Sequence, residues 1–247
     1  MALLELDNID TYYGRVHALH GISLHIDEGE IVSLIGSNGA GKTTTLRTIS
    51  GLTPASKGQV RMRGKDITRL PPDEVVRLGI GHVPEGRRIF GRLTVRDNLF
   101  LAVRGVARGR YGFLRPRAAH PSRPATEDLL RRVRLEAVAD QLVSSLSHGQ
   151  QRQLEIGMAL AGAPRFILFD EPAAGLSPGE RRELVALLGA LPAHMSFIII
   201  EHDLDVALRV VEQVTVMHDG HVLKHGTPAE IEGDADVQAI YIGGARH

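Results

Sequence analysis

The stretch IGSNGAGKTTTL, residues 35–46, places three glycines, one lysine and three consecutive threonines between apolar residues. Its central part fits the spacing G-x-x-x-x-G-K-[ST], and it stands between an apolar run and a helical pattern. Glycines lack Cβ atoms, so the backbone N–H groups of such a loop can turn inward around a phosphate, and the following helix adds the positive end of its dipole. An ordinary glycine-rich turn would need neither the lysine nor the threonine. We therefore predict a phosphate-binding loop formed by Gly36, Ser37, Asn38, Gly39, Ala40, Gly41, Lys42, Thr43 and Thr44.

Side chains next to this loop predict how a nucleoside triphosphate and its metal would be held. Lys42 would reach the β- and γ-phosphates, and the Thr43 hydroxyl would bind Mg²⁺. After the apolar run FILF at 166–169, Asp170 at the strand end would hold Mg²⁺ through water. Glu171 would leave the sheet beside the γ-phosphate, where a carboxylate can orient and deprotonate the attacking water. The alternative is a strand that ends in a solvated acidic turn, and the glycine loop upstream argues against it.

The pentapeptide LSHGQ at 146–150 precedes another helical pattern. Taken alone, Ser147 or Gly149 is simply the residue that caps the start of a helix. A second helix N-terminus would also offer N–H and O–H donors to a γ-phosphate. Which role applies depends on the other motifs of the chain.

The composition limits the class of protein. The 247 residues are enough for one large domain or two small ones, and 43% of them are hydrophobic, which permits a sizeable core. Lys and Arg together number 29, as do Asp and Glu, so the net charge gives no argument for nucleic-acid binding. Cysteine is absent, which excludes disulfides and thiolate metal sites. The apolar runs are far shorter than the roughly 20 residues of a transmembrane helix, and the N-terminus lacks a signal-peptide pattern, so we expect no membrane span.

Buried strands alternate with helices along most of the predicted order of elements. Apolar runs typical of strands buried on both faces occur at 31–35, 80–83, 166–169, 197–200 and 214–217, with weaker alternating patterns at 4–9 and 23–26. Helical patterns occur at 43–50, 73–78, 149–161, 178–191 and 204–211. This alternation predicts an α/β fold with a mostly parallel central sheet. Asp219 and Gly220 predict a hairpin turn, and hence some antiparallel pairing.

One region interrupts this alternation. Residues 86–134 carry thirteen arginines against the three acids Asp97, Glu127 and Asp128, which gives a net charge of +10. Helical patterns at 94–106 and 126–139 flank a segment rich in Gly, Pro and Arg at 111–124, which we predict to be a loop. We therefore expect residues 1–247 to form a single domain with a helical subdomain inserted at 94–145.

The motifs GSNGAGKTT, LSHGQ, FILFDEP and IIIEHD, in this order, resemble those of the ATP-binding subunits of ABC transporters over nearly the whole chain. The resemblance implies a P-loop nucleotide-binding domain with an antiparallel β subdomain, ATP and Mg²⁺ as cofactors, and ATP hydrolysis as the activity. It also implies a head-to-tail dimer, in which each ATP lies between the glycine loop of one subunit and Ser147, Gly149 and Gln150 of the other.

The same resemblance assigns further positions. Tyr13 matches the aromatic residue that stacks on adenine, and the adjacent Tyr12 is its rival for that role. His202 matches a switch histidine that contacts the γ-phosphate and steadies Glu171 and its water. Residues 174–177 match a loop that crosses the dimer interface.

Two positions depart from the family pattern. Glu85 stands where most members carry a glutamine that can bind Mg²⁺. It adds a negative charge beside Asp170 and Glu171, which should favour the metal and repel the γ-phosphate somewhat. His148 replaces a glycine of the LSHGQ segment, so its side chain must point away from the phosphates. We expect the function to survive this change.

The segments VPEGRRIF, RQLEIGMAL, DEPAAGLSP and VQAIYIGG resemble the importers of branched-chain amino acids, which pair two distinct ATPase subunits. The resemblance implies uptake of branched-chain amino acids, or of related amides or urea, by a homodimer or a heterodimer with a sister subunit. Transmembrane permeases and, indirectly, a substrate-binding protein would be its partners, at the cytoplasmic face of the inner membrane. The arginines of 86–134 would face these permeases or anionic headgroups, or would form a solvated face. The alternative is a soluble ABC-type ATPase of nucleic-acid repair, translation or cofactor assembly, although the chain has neither a heptad stretch nor a second such domain.

Overall fold

A six-stranded sheet organises the fold in a computed structural model that describes residues 2–106, 122–201, 211–235 and 237–238. Its strands are β3 (Ile31–Gly36), β6 (Ile80–Val83), β7 (Phe166–Asp170), β8 (Ser196–Ile200), β9 (Gln213–His218) and β10 (His221–Gly226). They lie in the order β10-β9-β3-β8-β7-β6, and every neighbouring pair is parallel except the hairpin of β9 and β10. The apolar runs of the sequence therefore predict the central strands correctly, and the hairpin turn at 219–220 is confirmed.

A second, antiparallel sheet within the described residues contains β1 (Ala2–Tyr13), β2 (Val16–Asp27), β4 (Lys57–Met62) and β5 (Lys65–Asp66). Its order is β2-β1-β4-β5. The weak alternating patterns near the N-terminus are real strands, longer than the sequence indicates. The last two strands are not evident from the sequence, because β4 buries only Val60 and Met62 and β5 is exposed.

Most of the described helices follow the predicted helical patterns, whereas the last of them, Pro228–Glu232, was not predicted. They are α1 (Lys42–Ile49), α2 (Pro72–Arg77), α3 (Val95–Val106), α4 (Arg123–Arg132), α5 (His148–Leu160), α6 (Pro178–Gly189) and α7 (Pro228–Glu232). Serine N-caps with capping boxes start α5 at Ser147 and α6 at Ser177, which fixes where these helices begin. The helix expected at 204–211 lies almost entirely outside the described residues.

The helix predicted at 126–139 is wrong in its extent. The α-helix begins earlier, at Arg123, and ends at Arg132, because Arg134 adopts a left-handed backbone with φ 58°. A short 3₁₀ turn, Glu136–Val138, follows instead. The predicted loop at 111–124 falls mostly outside the described residues, and its last two residues open this helix.

Apolar side chains pack on both faces of the central sheet. On one face, Phe169 and Phe197 meet edge to face at 5.4 Å within a core that also contains buried residues of α3, α4 and α5. On the other face, Phe166 and Leu168 share a core with α1 and the antiparallel sheet. Each fully buried side chain of this size contributes about 1.5–3 kcal/mol. The predicted fold class, an α/β domain with a mostly parallel sheet, an antiparallel β part and a helical insertion, is confirmed.

Candidate active site at the carboxyl edge of the parallel sheet

The carboxyl ends of the parallel strands bring the predicted site residues to one edge of the sheet. Asp170 pairs with Ile200, and Ile200 in turn pairs with Leu34, two residues before the glycine loop begins. Val83, which precedes the segment containing Glu85, pairs with Phe169. The loops that follow β3, β6, β7 and β8 therefore start side by side, where parallel α/β sheets hold their ligands.

The glycine loop is tightly packed at its base and open at its tip. A Cβ atom at Gly36 would lie 2.2 Å from the Met217 carbonyl oxygen, so this position accepts only glycine. Ser37, Asn38 and Gly39 are exposed. The base is thus fixed against β9, while the backbone at the tip is available to a ligand.

Lys42 lies at the first turn of α1 and is buried. Its Nζ donates to the carbonyl oxygens of Gly36, at 2.8 Å, and of Ser37, at 2.9 Å. Burial lowers the pKa of Lys42, and the carboxylates of Glu171 and Asp170 oppose that fall. The amine is therefore held inside the loop and close to both acids.

Thr43 and Asp170 form the contact that joins the glycine loop to the end of β7. The Thr43 hydroxyl donates to Asp170 Oδ1 at 3.2 Å. Burial raises the pKa of Asp170, and the negative charges of Glu171 and Glu85 raise it further, while Thr43 and Lys42 oppose the rise. The carboxylates of Glu171 and Glu85 are thus close enough to Asp170 to repel its negative charge.

These oxygens fit a magnesium ion. Mg²⁺ prefers hydroxyl, carboxylate, phosphate and water oxygens, and a cation would relieve the repulsion among Asp170, Glu171 and Glu85. Among the described residues, no three His, Asp or Glu side chains converge so as to hold a metal by themselves. An ion at Thr43 and Asp170, with Glu85 close by, would complete its coordination with phosphate oxygens and water.

The backbone of Glu171 is unusual and is held from several sides. Its φ is 49°, in the left-handed region that a non-glycine residue rarely adopts. Its N–H donates to the Ile200 carbonyl at 2.9 Å, and the Arg152 guanidinium donates to its carbonyl at 3.2 Å. The buried carboxylate of Glu201 accepts from the Ala173 N–H at 2.6 Å, which fixes the turn after Glu171.

Sequence reasoning did not single out Arg152 or Glu201. Glu201 adjoins His202 in the motif IIIEHD, which was the available signal. His202 itself lies outside the described residues.

The LSHGQ segment forms the start of α5, away from the glycine loop. The Ser147 hydroxyl accepts from the Gln150 N–H at 3.2 Å, and Gln150 Oε1 accepts from the Ser147 N–H at 3.0 Å. The Gly149 N–H donates to Glu180 Oε1 of α6 at 2.7 Å, and His148 is exposed toward the Gly175 carbonyl. Within the described part of the chain, no hydrogen bond of these residues reaches the glycine loop.

The two tyrosines near the start of the chain face different surroundings. Tyr12 stacks on His17 with ring centroids 4.1 Å apart, so one face of its ring is already covered. The Tyr13 hydroxyl lies 3.4 Å from Thr53 Oγ1, and its side chain is 42% exposed. Of the two rings, Tyr13 is the one that no stacking partner covers among the described residues.

A groove of about 420 Å³ lies between α2, β6, α3 and α5. Val76, Val83 and Met158 give it apolar walls, while Arg88 and Glu155 line its end nearest the loop after β6. Phe90, close by in sequence, is 55% exposed. The groove thus combines apolar surface with an arginine of the basic region.

Comparison with known proteins gives concordant results. A family model described as ABC transporter matches residues 19–174. The chain is 34% identical over 243 residues to the high-affinity branched-chain amino acid transport ATP-binding protein BraG of Pseudomonas aeruginosa, covering 98% of this chain and 100% of that one. It is 35% identical over 244 residues to the lipopolysaccharide export system ATP-binding protein LptB of Escherichia coli K12, covering 98% of each. Among solved structures, the ATP-binding cassette MJ1267 of an ABC transporter superposes with a TM-score of 0.89 at 31% identity, covering 98% of this chain and 100% of that one.

Proposed function

The chain belongs to the ABC transporter family and is an ATPase, and on that premise we propose that it powers the uptake of branched-chain amino acids or related amides through partner membrane permeases. The 3.2 Å contact between Thr43 and Asp170 carries the assignment of the site, because it joins the glycine loop to the strand-end acid. Glu171, one residue further, stands at the same sheet edge.

Each residue at this edge has a proposed task. The backbone N–H groups of the loop and Lys42 bind the phosphates, and Tyr13 stacks on adenine. Thr43 and Asp170, with Glu85, would hold Mg²⁺, and the ion would supply positive charge to neutralise the phosphates. Glu171 orients the attacking water and accepts its proton, assisted by His202.

We propose that the site is completed by a second subunit, either another copy or a sister ATPase. The supporting observation is that Ser147, Gly149 and Gln150 lie at a helix N-terminus but make no hydrogen bond to their own glycine loop, as far as the described residues go. A head-to-tail dimer would bring this helix N-terminus to the γ-phosphate of the partner's ATP. ATP would then join the subunits, and hydrolysis would release them.

The groove between α2 and α3 is the proposed docking site for a permease. Apolar walls and the exposed Phe90 suit an apolar helix, and Arg88 suits an acidic residue on it. Among the described residues, no helix has the length and apolar character that crossing a bilayer requires. As a partner of membrane permeases, the chain would sit at the cytoplasmic face of the inner membrane. For the domain organisation, we propose that residues 1–247 form a single domain with a helical subdomain at 94–145.

The cargo is inferred from resemblance. BraG is named for branched-chain amino acid transport, and the segments VPEGRRIF and RQLEIGMAL resemble that subfamily. The similarity to LptB supports a second candidate, lipopolysaccharide export, at almost the same identity. A cellular assay can separate the two.

The test is deletion of the gene in its native host, followed by uptake of labelled leucine and labelled urea. We expect one uptake activity to be lost, restored by the wild-type gene and not by Glu171→Gln, which should bind ATP without hydrolysing it. Normal uptake of both compounds in the deletion strain would exclude the import proposal. A defect in surface lipopolysaccharide in that strain would instead favour export.

A further inference from the structure

Arg152 and Glu155 form a buried ion pair on α5. Arg152 Nη1 lies 2.8 Å from Glu155 Oε2, and each residue is only 7% exposed. A buried pair gains little stability over apolar residues of the same size, since both charges lose their hydration. Stability alone therefore does not explain the buried pair, and its other contacts indicate its role.

Glu155 connects the pair to the groove. Its second oxygen, Oε1, accepts from the Arg88 N–H at 3.0 Å, and both residues line the groove. Burial raises the pKa of Glu155, whereas Arg152, the Arg88 N–H and Arg87 oppose the rise. The backbone of the loop after β6 is thus attached to this carboxylate.

Arg152 connects the pair to the catalytic edge. Its Nη2 donates to the Glu171 carbonyl at 3.2 Å, and its Nη1 lies 3.5 Å from the Pro84 carbonyl. Glu171 has a left-handed backbone with φ 49°, a conformation that persists only when neighbouring groups hold it. The bond to its carbonyl helps to hold the backbone from which the Glu171 side chain extends.

We propose that Arg152 and Glu155 are positioning residues for ATP hydrolysis, which tie the backbone of Glu171 to the groove-lining loop at 84–88. The proposal rests on the assignment of Glu171 under the proposed function. A partner segment that shifts the Arg88 backbone in the groove would move Glu155, then Arg152, and so the peptide group of Glu171.

The double variant Arg152→Met/Glu155→Gln tests the link in the purified full chain. It removes both charges together, so no unpaired charge stays buried, and it keeps an acceptor for the Arg88 N–H. It lacks the donor to the Glu171 carbonyl. The matched control is Arg131→Met, because Arg131 forms an ion pair of the same i,i+3 spacing with Asp128 on the surface of α4.

We expect kcat for ATP hydrolysis to fall about tenfold or more, the effect of losing one hydrogen bond from a charged donor. KM, and the affinity for a non-hydrolysable ATP analogue measured by calorimetry, should change by less than about twofold, because within the described residues neither member of the pair bonds to the glycine loop. Hydrogen exchange should become faster in peptides covering 84–88 and 171–176. The control should match the wild type in kcat, KM, analogue affinity and hydrogen exchange.

A folded double variant with wild-type kcat would overturn the proposal. A loss of analogue affinity as large as the fall in kcat would also overturn it. If the double variant does not fold, Arg152→Lys serves instead, since one amine cannot make all the contacts of the guanidinium, and the same fall in kcat at constant KM is expected. Glu171→Gln in the same assay separates the two proposals. If Glu171→Gln retains wild-type turnover, the proposed function fails. If Glu171→Gln loses turnover but the Arg152 variants retain it, the proposed positioning role of Arg152 and Glu155 fails.

Discussion

At the scale of single residues, the position of Lys42 gives the sharpest prediction. Its amine already lies inside the loop, bonded to two carbonyl oxygens and close to Asp170 and Glu171. Lys42→Ala should weaken ATP binding by tenfold to a hundredfold (about 1.5–3 kcal/mol), since a charged donor to the phosphates is lost. Calorimetry with ATP and Mg²⁺ measures this, with the exposed Lys65→Ala as the control. Affinity within a factor of two of the wild type would contradict the assignment of the loop.

Single residues also differ in how readily the sequence reveals them. Lys42 and Asp170 are evident because each occupies a fixed place relative to a strand end, which is a local pattern. The roles of Arg152, Glu180 and Glu201 are not evident, because each depends on a distant contact. The Glu171 carbonyl, the Gly149 N–H and the Ala173 N–H lie 19, 31 and 28 residues away from them, respectively. Such contacts are made by the packing of elements, and no spacing in the chain records them.

At the scale of elements, one carboxylate joins the starts of two helices. Glu180 accepts from the Ser177 N–H at the start of α6 and from the Gly149 N–H at the start of α5. These bonds lower the pKa of Glu180 to about 2 from an ordinary value of 4.5. For Gly149 to donate to a partner's phosphate, its bond to Glu180 would have to open.

The lowered pKa of Glu180 predicts how stability depends on pH. Because the folded state favours the ionised form, the contribution of Glu180 is fully present above pH 4.5 and is lost as the pH falls toward 2. Glu180→Gln should therefore be less stable than the wild type at pH 7, and the difference should shrink between pH 4.5 and 2. Urea unfolding at several pH values measures it, with the exposed Glu183→Gln as control. A difference that does not vary with pH would argue against the bridging role.

Strands and helices could be predicted from the sequence where the pattern of buried residues along them is simple. The central strands are mostly apolar because both faces of the sheet are covered, so the runs FILF of β7 and FIII of β8 stand out in the sequence. The strand β4 was missed because only alternate residues near its end are buried. The end of α4 was missed because a single arginine in a left-handed conformation stops it, and arginine carries no such signal.

At the scale of the whole molecule, the alternation of apolar runs with helical patterns predicted the α/β fold with a parallel sheet. Such a sheet brings the ends of non-adjacent strands, and the motifs that follow them, to one edge. The single chain still leaves the helix start at Ser147 without any hydrogen bond to the glycine loop among the described residues. The proposed completion of the site by a second subunit requires association, which can be tested separately from nucleotide binding.

Ser147→Arg tests that association. In the Glu171→Gln background, the chain that keeps Ser147 should form a dimer with ATP and Mg²⁺, because the bound nucleotide is not hydrolysed. An arginine at the exposed Ser147 would put a long side chain where the partner's nucleotide must lie, so this variant should remain monomeric on a sizing column. ATP affinity of the monomer, measured by calorimetry, should stay within about twofold of the parent, because the glycine loop is untouched. Ser56→Arg, at an exposed position before β4, is the control for added charge and should still dimerise. Dimers of the Ser147→Arg variant that form with ATP would rule out a site shared across the interface.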